Sequence, residues 1–120
     1  MSTDNTFLAA YLGDKNSPRM AAWTALSETD RRAKEHQGML AWKAWAEEYS
    51  AVIVVGGPLG KTKKVSDKGI ADISNNMGAF TVVKADSHAA AAKMFENHPH
   101  STIFPGESID VMPVLPIPNL

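Results

Sequence analysis

The chain of 120 residues contains no cysteine. This absence excludes disulfide bonds, a thiolate nucleophile and zinc sites that use cysteine ligands. It is also typical of proteins that work in a reducing compartment. Any catalytic or metal-binding role must therefore rest on other side chains.

Neither sign of charge is in excess, since 12 Lys and Arg residues face 13 Asp and Glu residues and the net charge is -1. Nucleic-acid binders usually carry a basic patch, so we expect no DNA or RNA partner. The segment "MSTDNTF" lacks the basic and apolar regions of a signal peptide, and no apolar run reaches the 18 residues that span a bilayer. We expect no membrane contact and predict a cytoplasmic location.

The length of the chain is that of one domain, and its 44% of hydrophobic residues is ordinary for a globular protein. We predict a single domain over residues 1–120, with a core of about residues 6–116 and an extended, proline-rich tail over residues 113–120. Residues 15–26 are predicted to form a loop insertion. Residues 61–74 are predicted to form a polar hairpin that turns at "SDKG".

Four strands and two helices follow from local patterns. Ser27 is a predicted N-cap for a helix that runs to about Tyr49, and Ser87 for a second helix, "HAAAAKMFENH", which Pro99 ends. The strands are predicted at "TFLAAYLGD", "AVIVVGGP", "MGAFTVVKA" and "SIDVMPVLP". The order predicts an α+β fold, namely a ferredoxin-like βαββαβ sandwich with an antiparallel sheet and an inserted hairpin.

The predicted strands are apolar on both faces. In the first strand Phe7, Ala9 and Tyr11 alternate with Leu8, Ala10 and Leu12. Two helices cover only one face of such a sheet, and large exposed apolar patches are rare on soluble monomers. The pattern therefore predicts a homodimer through the second face of the sheet.

One sector of the long helix is predicted to be buried, at 100° of rotation per residue. It comprises Gly38, Met39, Trp42, Trp45, Ala46 and Tyr49. Core packing is the simplest interpretation of this aromatic stripe, and Trp42 or Trp45 is a candidate for the edge of a ligand pocket. His36 lies about 200° from Gly38 and is expected in solvent.

Four segments together resemble the YCII-related family, including its DGPF-type members. They are "LSETDRRAKEHQGMLAWKAWAEE", "IVVGGPLGKTKKV", "MGAFTVVKADSHAAAAKMFENHPH" and "SIDVMPV". The resemblance implies a dimeric α/β barrel, and it implies that some members use a histidine of the first helix with an aspartate. In this chain Gly38 occupies the position of that histidine, so the role does not carry over, and His36 becomes a catalytic candidate only if the helix is irregular there.

The segment "NHPHSTIFPGESID" holds the other candidates for chemistry. His98 and His100 are candidates for a general acid or base, with Asp110 or Glu107 to orient the ring. The alternative is structural: His98 ends the second helix, and His100 anchors the loop. Two histidines one residue apart also suggest a metal, but the spacing defines no third ligand, so no metal or other cofactor is predicted.

Two functional classes remain open. In the first, a pocket between the sheet and a turn at Gly57 and Pro58, at or near the dimer interface, binds a small polar or anionic ligand. Trp42, Lys61 and Glu107 are the further candidate contacts. In the second, the same pocket belongs to a small-molecule enzyme of the lyase or hydrolase type, with His100 or His98 as acid or base.

Overall fold

A four-stranded antiparallel sheet is the centre of the computed structural model, which describes residues 5–119. Its strands, in spatial order, are β2 (Ile53–Pro58), β5 (Met77–Lys84), β1 (Thr6–Leu12) and β6 (Ser108–Pro113). A separate antiparallel hairpin consists of β3 (Thr62–Ser66) and β4 (Gly69–Ile73). The helices are α1 (Pro18–Ala25), α2 (Glu28–Glu48), α3 (His88–Lys93) and α4 (Pro99–Thr102).

The connectivity is that of two split βαβ units. Helices α1 and α2 connect β1 to β2, and α3 with α4 connects β5 to β6, while the β3–β4 hairpin lies between the two units. All three strand pairs of the sheet are antiparallel. This confirms the predicted ferredoxin-like α+β architecture and its inserted hairpin.

Helix α2 has the predicted bounds, and Ser27 is its N-cap as predicted. The Ser27 hydroxyl accepts a hydrogen bond from the backbone N–H of Asp30 at 3.1 Å, and two acidic residues stand in the first turn. Gly38 and Trp45 of its predicted inner sector are buried, whereas Met39 is 63% exposed. His36 is exposed, as predicted. None of the helices in residues 5–119 has the length and apolar character to cross a membrane.

The core lies between the helices and one face of the sheet. Phe7 stands opposite Val83 and Tyr11 opposite Ala79, so these residues share that face. The helices add Trp45, Ala91 and Phe95 to the same buried cluster. The indole N–H of Trp45 donates to the carbonyl of Met94 at 2.7 Å, which fixes α2 against the end of α3.

The other face of the sheet, which we call the open face, is also apolar. Leu8 stands opposite Val82 and Met112, and Val82 stands opposite Val55. Val55 and Met112 keep 51% and 42% of their surface exposed. The second predicted strand is therefore not buried on both faces in the single chain, and the homodimer stays a prediction.

Three local predictions were wrong. Residues 15–26 are not a simple loop, because Ser17 caps α1 and Pro18 occupies its first turn. The predicted turn at Gly57 and Pro58 is regular strand, since β2 continues to Pro58. The last strand ends at Pro113 rather than at residue 116, so residues 114–119 belong to the tail.

The second predicted helix also differs. Helix α3 ends at Lys93, and Asn97 adopts a positive φ of 56°. Pro99 then begins α4 rather than only ending a helix, and His98 is the N-cap of α4. Proline is favoured in a first turn, where its missing N–H would have no partner.

Candidate functional site

A cleft lies between α2 and the helix-bearing side of the sheet. It consists of two adjoining hollows of about 450 Å³ and 400 Å³. The hollows share Met39, Trp42, Pro58 and Ala79 in their linings. Small-molecule sites are typically concave and mostly apolar with a few polar groups, and this cleft has that character.

His100 is the imidazole that lines the cleft. Its ring is partly buried, and its Nε2 lies 2.8 Å from the carbonyl oxygen of Leu12, at the end of β1. A carbonyl only accepts hydrogen bonds, so Nε2 carries a proton, and in the neutral form of the ring the lone pair is on Nδ1. The ring packs edge-on against Tyr11 and lies directly over Gly106, where a Cβ would overlap it.

His98 is buried in the core, with 1% of its surface exposed. Its ring lies edge-on to Trp42 and Trp45, with centroids 4.5 and 4.7 Å apart. Burial, and secondarily the charge on His100, lowers the pKa of His98 to about 4. His98 is therefore enclosed and neutral at neutral pH, and its role is structural: it is the N-cap of α4. It does not end the preceding helix, as had been predicted, because α3 ends at Lys93.

Tyr11 of β1 forms a hydrogen bond with Thr81 of β5 beneath the cleft. Its hydroxyl lies 2.9 Å from Thr81 Oγ1 and 3.4 Å from His98 Nε2. Burial raises the pKa of Tyr11 to about 12, while the hydrogen bond with Thr81 opposes this shift. The phenol is therefore neutral throughout the physiological range, and it acts as a hydrogen-bonding group rather than as a base.

Phe104 forms part of the cleft wall next to Gly38. A Cβ at position 38 would overlap the Phe104 ring, so the aromatic ring fills the space beside the helix where a side chain would stand. The other neighbours of the ring are Trp23 and Trp42, at centroid distances of 5.9 and 6.2 Å. Trp23 belongs to α1, and Met20 of the same helix lines the cleft. The inserted helix thus borders the site.

The structure places Asp110 away from the two histidines. Asp110 stands opposite Ala10 on the open face, where it accepts a hydrogen bond from the Ser108 hydroxyl at 3.2 Å. It is exposed, and its strand neighbours Ile109 and Val111 pack against the core instead. Asp110 therefore does not orient His98 or His100.

Three of the five predicted ligand contacts line the cleft, and two do not. Trp42, Gly57 and Pro58 line the cleft. Lys61 and Glu107 are exposed and belong to neither hollow, although the backbone N–H of Glu107 donates to the Leu12 carbonyl that also binds His100. The cleft lies on the helix-bearing side of the sheet, opposite to the face predicted for the dimer.

Sequence reasoning missed three residues of the site, namely Tyr11, Thr81 and Phe104. Tyr11 and Thr81 come together only through the pairing of β1 with β5, and Phe104 reaches Gly38 only through the fold of the α4 loop. The glycine at position 38, on the inner sector of a helix, was the available hint that a bulky group approaches it. Within residues 5–119 no group of three or more His, Asp or Glu side chains could hold a metal ion.

The fold and the cleft define a ferredoxin-like α+β protein with an aromatic-walled site beside its long helix. The chain is similar to a solved structure, 5-chloro-2-hydroxyhydroquinone dehydrochlorinase from Burkholderia phenoliruptrix AC1100 in complex with 2,5-dihydroxybenzoquinone. The two share 22% sequence identity and a TM-score of 0.52, over 89% of this chain and 90% of that one. No family model matches the sequence, and no curated protein does. The likeness shows the fold.

Proposed function

We propose that the cleft between α2 and the sheet binds a small, flat organic molecule that carries at least one polar group. Trp42 and Pro58 supply the apolar walls, and each of them borders both hollows. Aromatic side chains favour stacking with flat ligands. The combined space accommodates a molecule the size of a substituted single ring.

His100 carries this proposal because a backbone carbonyl orients its ring at the cleft. The Leu12 carbonyl holds the proton on Nε2, so Nδ1 is ready to accept a hydrogen bond from a ligand hydroxyl. The similar dehydrochlorinase was solved with 2,5-dihydroxybenzoquinone, a flat hydroxylated ring. That compound is therefore a reasonable first probe for this chain.

Calorimetric titration with 2,5-dihydroxybenzoquinone tests the proposal. We expect saturable binding by the unmodified protein and a loss of affinity of about tenfold in His100→Gln, the value of one hydrogen bond to a partly buried group. His36→Gln is the matched control, since His36 is exposed on α2 and outside the cleft. No binding, or equal weakening in the two variants, would refute the proposal.

A second candidate function is catalysis by His100 in the same cleft. The observation that favours it is again the fixed tautomer, because a backbone acceptor on one ring nitrogen leaves the other as a positioned general base. The reaction would be of the lyase or hydrolase type. Product analysis by NMR after prolonged incubation separates the two functions: a bound ligand is recovered unchanged, whereas a substrate is consumed, and His100→Gln abolishes its turnover.

We further propose that the chain belongs to the YCII-related family and forms a homodimer through the open face. The four sequence segments and the ferredoxin-like fold support the family membership, and the exposed Val55 and Met112 support the dimer. Such a dimer would leave the entrance on the helix-bearing side of each sheet. Ligand binding would then need no residue from the second copy.

A further inference from the structure

A chain of hydrogen bonds below the cleft joins the backbone N–H of His100 to His98, Tyr11 and Thr81. The backbone N–H fixes the donor and the acceptor of its first bond. The N–H of His100 donates to His98 Nδ1 at 3.0 Å, and a backbone N–H can only donate. His98 Nδ1 is therefore the acceptor, and the proton of the neutral ring sits on Nε2. The lowered pKa of His98 agrees with a neutral ring.

The chain of hydrogen bonds continues through Tyr11 to Thr81. His98 Nε2–H donates to the Tyr11 hydroxyl, and the 2.9 Å contact between Tyr11 and Thr81 Oγ1 admits either hydroxyl as its donor. Tyr11 is 1% exposed, so donation by Thr81 would leave the buried phenol hydrogen without an acceptor, which is costly. Donation by Tyr11 is therefore favoured, and it leaves the Thr81 hydroxyl hydrogen without an acceptor among the hydrogen bonds of residues 5–119.

Thr81 is 5% exposed, and it lines the hollow between α2 and β2. Gly56 stands opposite it in β2, where a Cβ would lie 3.2 Å from Thr81 Oγ1. The missing side chain keeps the approach to this oxygen open. A buried hydroxyl with an unused hydrogen, at the floor of an apolar hollow, is a site for a hydrogen-bond acceptor.

We infer that Thr81 donates a hydrogen bond to a carbonyl oxygen of the bound molecule, while His100 accepts one from a hydroxyl group of the same molecule. The cleft then favours flat hydroxylated carbonyl compounds, because Thr81 supplies a donor and His100 an acceptor beside the apolar walls. This inference rests on the proposed function of the cleft. It adds the ligand class and a residue, Thr81, that determines specificity.

Three probes that differ in one polar group test the inference. They are 4-hydroxyacetophenone with both groups, 4-ethylphenol with the hydroxyl only, and 4-methoxyacetophenone with the carbonyl only. Their dissociation constants are measured by ligand-observed NMR on the unmodified protein and on each variant. We expect Thr81→Val to weaken both ketones about tenfold and to leave 4-ethylphenol unchanged, and Thr81→Ser to restore the ketone affinity.

His100→Gln gives the complementary result. It is expected to weaken the two phenols and to spare 4-methoxyacetophenone. Tyr11→Phe separates a direct contact of Thr81 from a packing effect, because it removes the partner of Thr81 but leaves the Thr81 hydroxyl in place. The ratio of ketone to ethylphenol affinity is expected to persist in Tyr11→Phe.

The outcomes distinguish the two proposals. If none of these probes nor the quinone binds the unmodified protein, the proposed function fails and the inference falls with it. If the probes bind but Thr81→Val weakens all three equally, or Tyr11→Phe reproduces its selective effect, the cleft is a ligand site and Thr81 is not its donor. Selective loss of the ketones in Thr81→Val alone supports the inference.

Discussion

The contact between Gly38 and Phe104 makes a quantitative prediction about stability. Alanine is favoured over glycine in the interior of a helix by about 1 kcal/mol, so Gly38→Ala in the middle of α2 would ordinarily stabilise the protein. In this fold the new methyl group overlaps the Phe104 ring, which is held between Trp23 and Trp42. Overpacking of this kind costs about 1 to 3 kcal/mol.

The two effects oppose each other, and the steric one is expected to prevail. Gly38→Ala should therefore lower the free energy of unfolding by about 0 to 2 kcal/mol. In a Phe104→Ala background the overlap is gone, and the same substitution should raise the free energy of unfolding by about 1 kcal/mol. The coupling between the two positions is thus about 1 to 3 kcal/mol.

Urea unfolding followed by circular dichroism gives the free energy of unfolding of the unmodified protein, the two single variants and the double variant. Equal slopes of free energy against urea would show that the substitutions act on the folded state. The reasoning is refuted if Gly38→Ala stabilises the protein by the same amount with and without the Phe104 ring.

The remaining predictions concern pH and assembly. The folded-state pKa of His98 is about 4, below the ordinary 6.5, so the neutral ring contributes stability above pH 6.5 that is lost as the pH falls towards 4. Between pH 7 and 4.5 the free energy of unfolding should fall by about 2 kcal/mol more in the unmodified protein than in His98→Asn, which retains an N-cap acceptor. Equal decreases in the two proteins, measured by chemical denaturation, would contradict this. Light scattering should give twice the 12.9 kDa chain mass, and Val55→Lys with Met112→Lys should halve it, whereas Ile117→Lys in the tail should not. A monomeric unmodified protein at micromolar concentration would exclude the dimer.

Local sequence signals predicted most of the fold. Serine caps and helical periodicity gave the bounds of α2, and the turn residues Ser66 to Gly69 gave the hairpin. Helix α1 was missed because eight residues with no fully buried side chain are too few for a clear helical periodicity, although Ser17 and Pro18 form a start signal. The sequence alone did not distinguish a proline that ends one helix from a proline that begins the next, which is the case at Pro99.

The candidate site depended on tertiary contacts, so less of it was predictable. His100 lines the cleft, but its partner is a backbone carbonyl rather than a carboxylate, and its role in a site stays a prediction. The alternation of Asp110 with Ile109 and Val111 already indicated that the aspartate points away from the core. The Tyr11–Thr81 pair depends on the register between β1 and β5, and no local pattern encodes that register.

The carbonyl oxygen of Leu12 accepts hydrogen bonds from the His100 ring and from the backbone N–H of Glu107. Every amino acid offers the same oxygen at this position, so the hydrogen bond to the imidazole does not depend on the side chain at position 12. A carboxylate partner would instead have to be preserved, and its charge would raise the basicity of the ring. The path of the main chain thus orients His100, and a substitution among the neighbouring side chains that preserves this path should leave the ring in place.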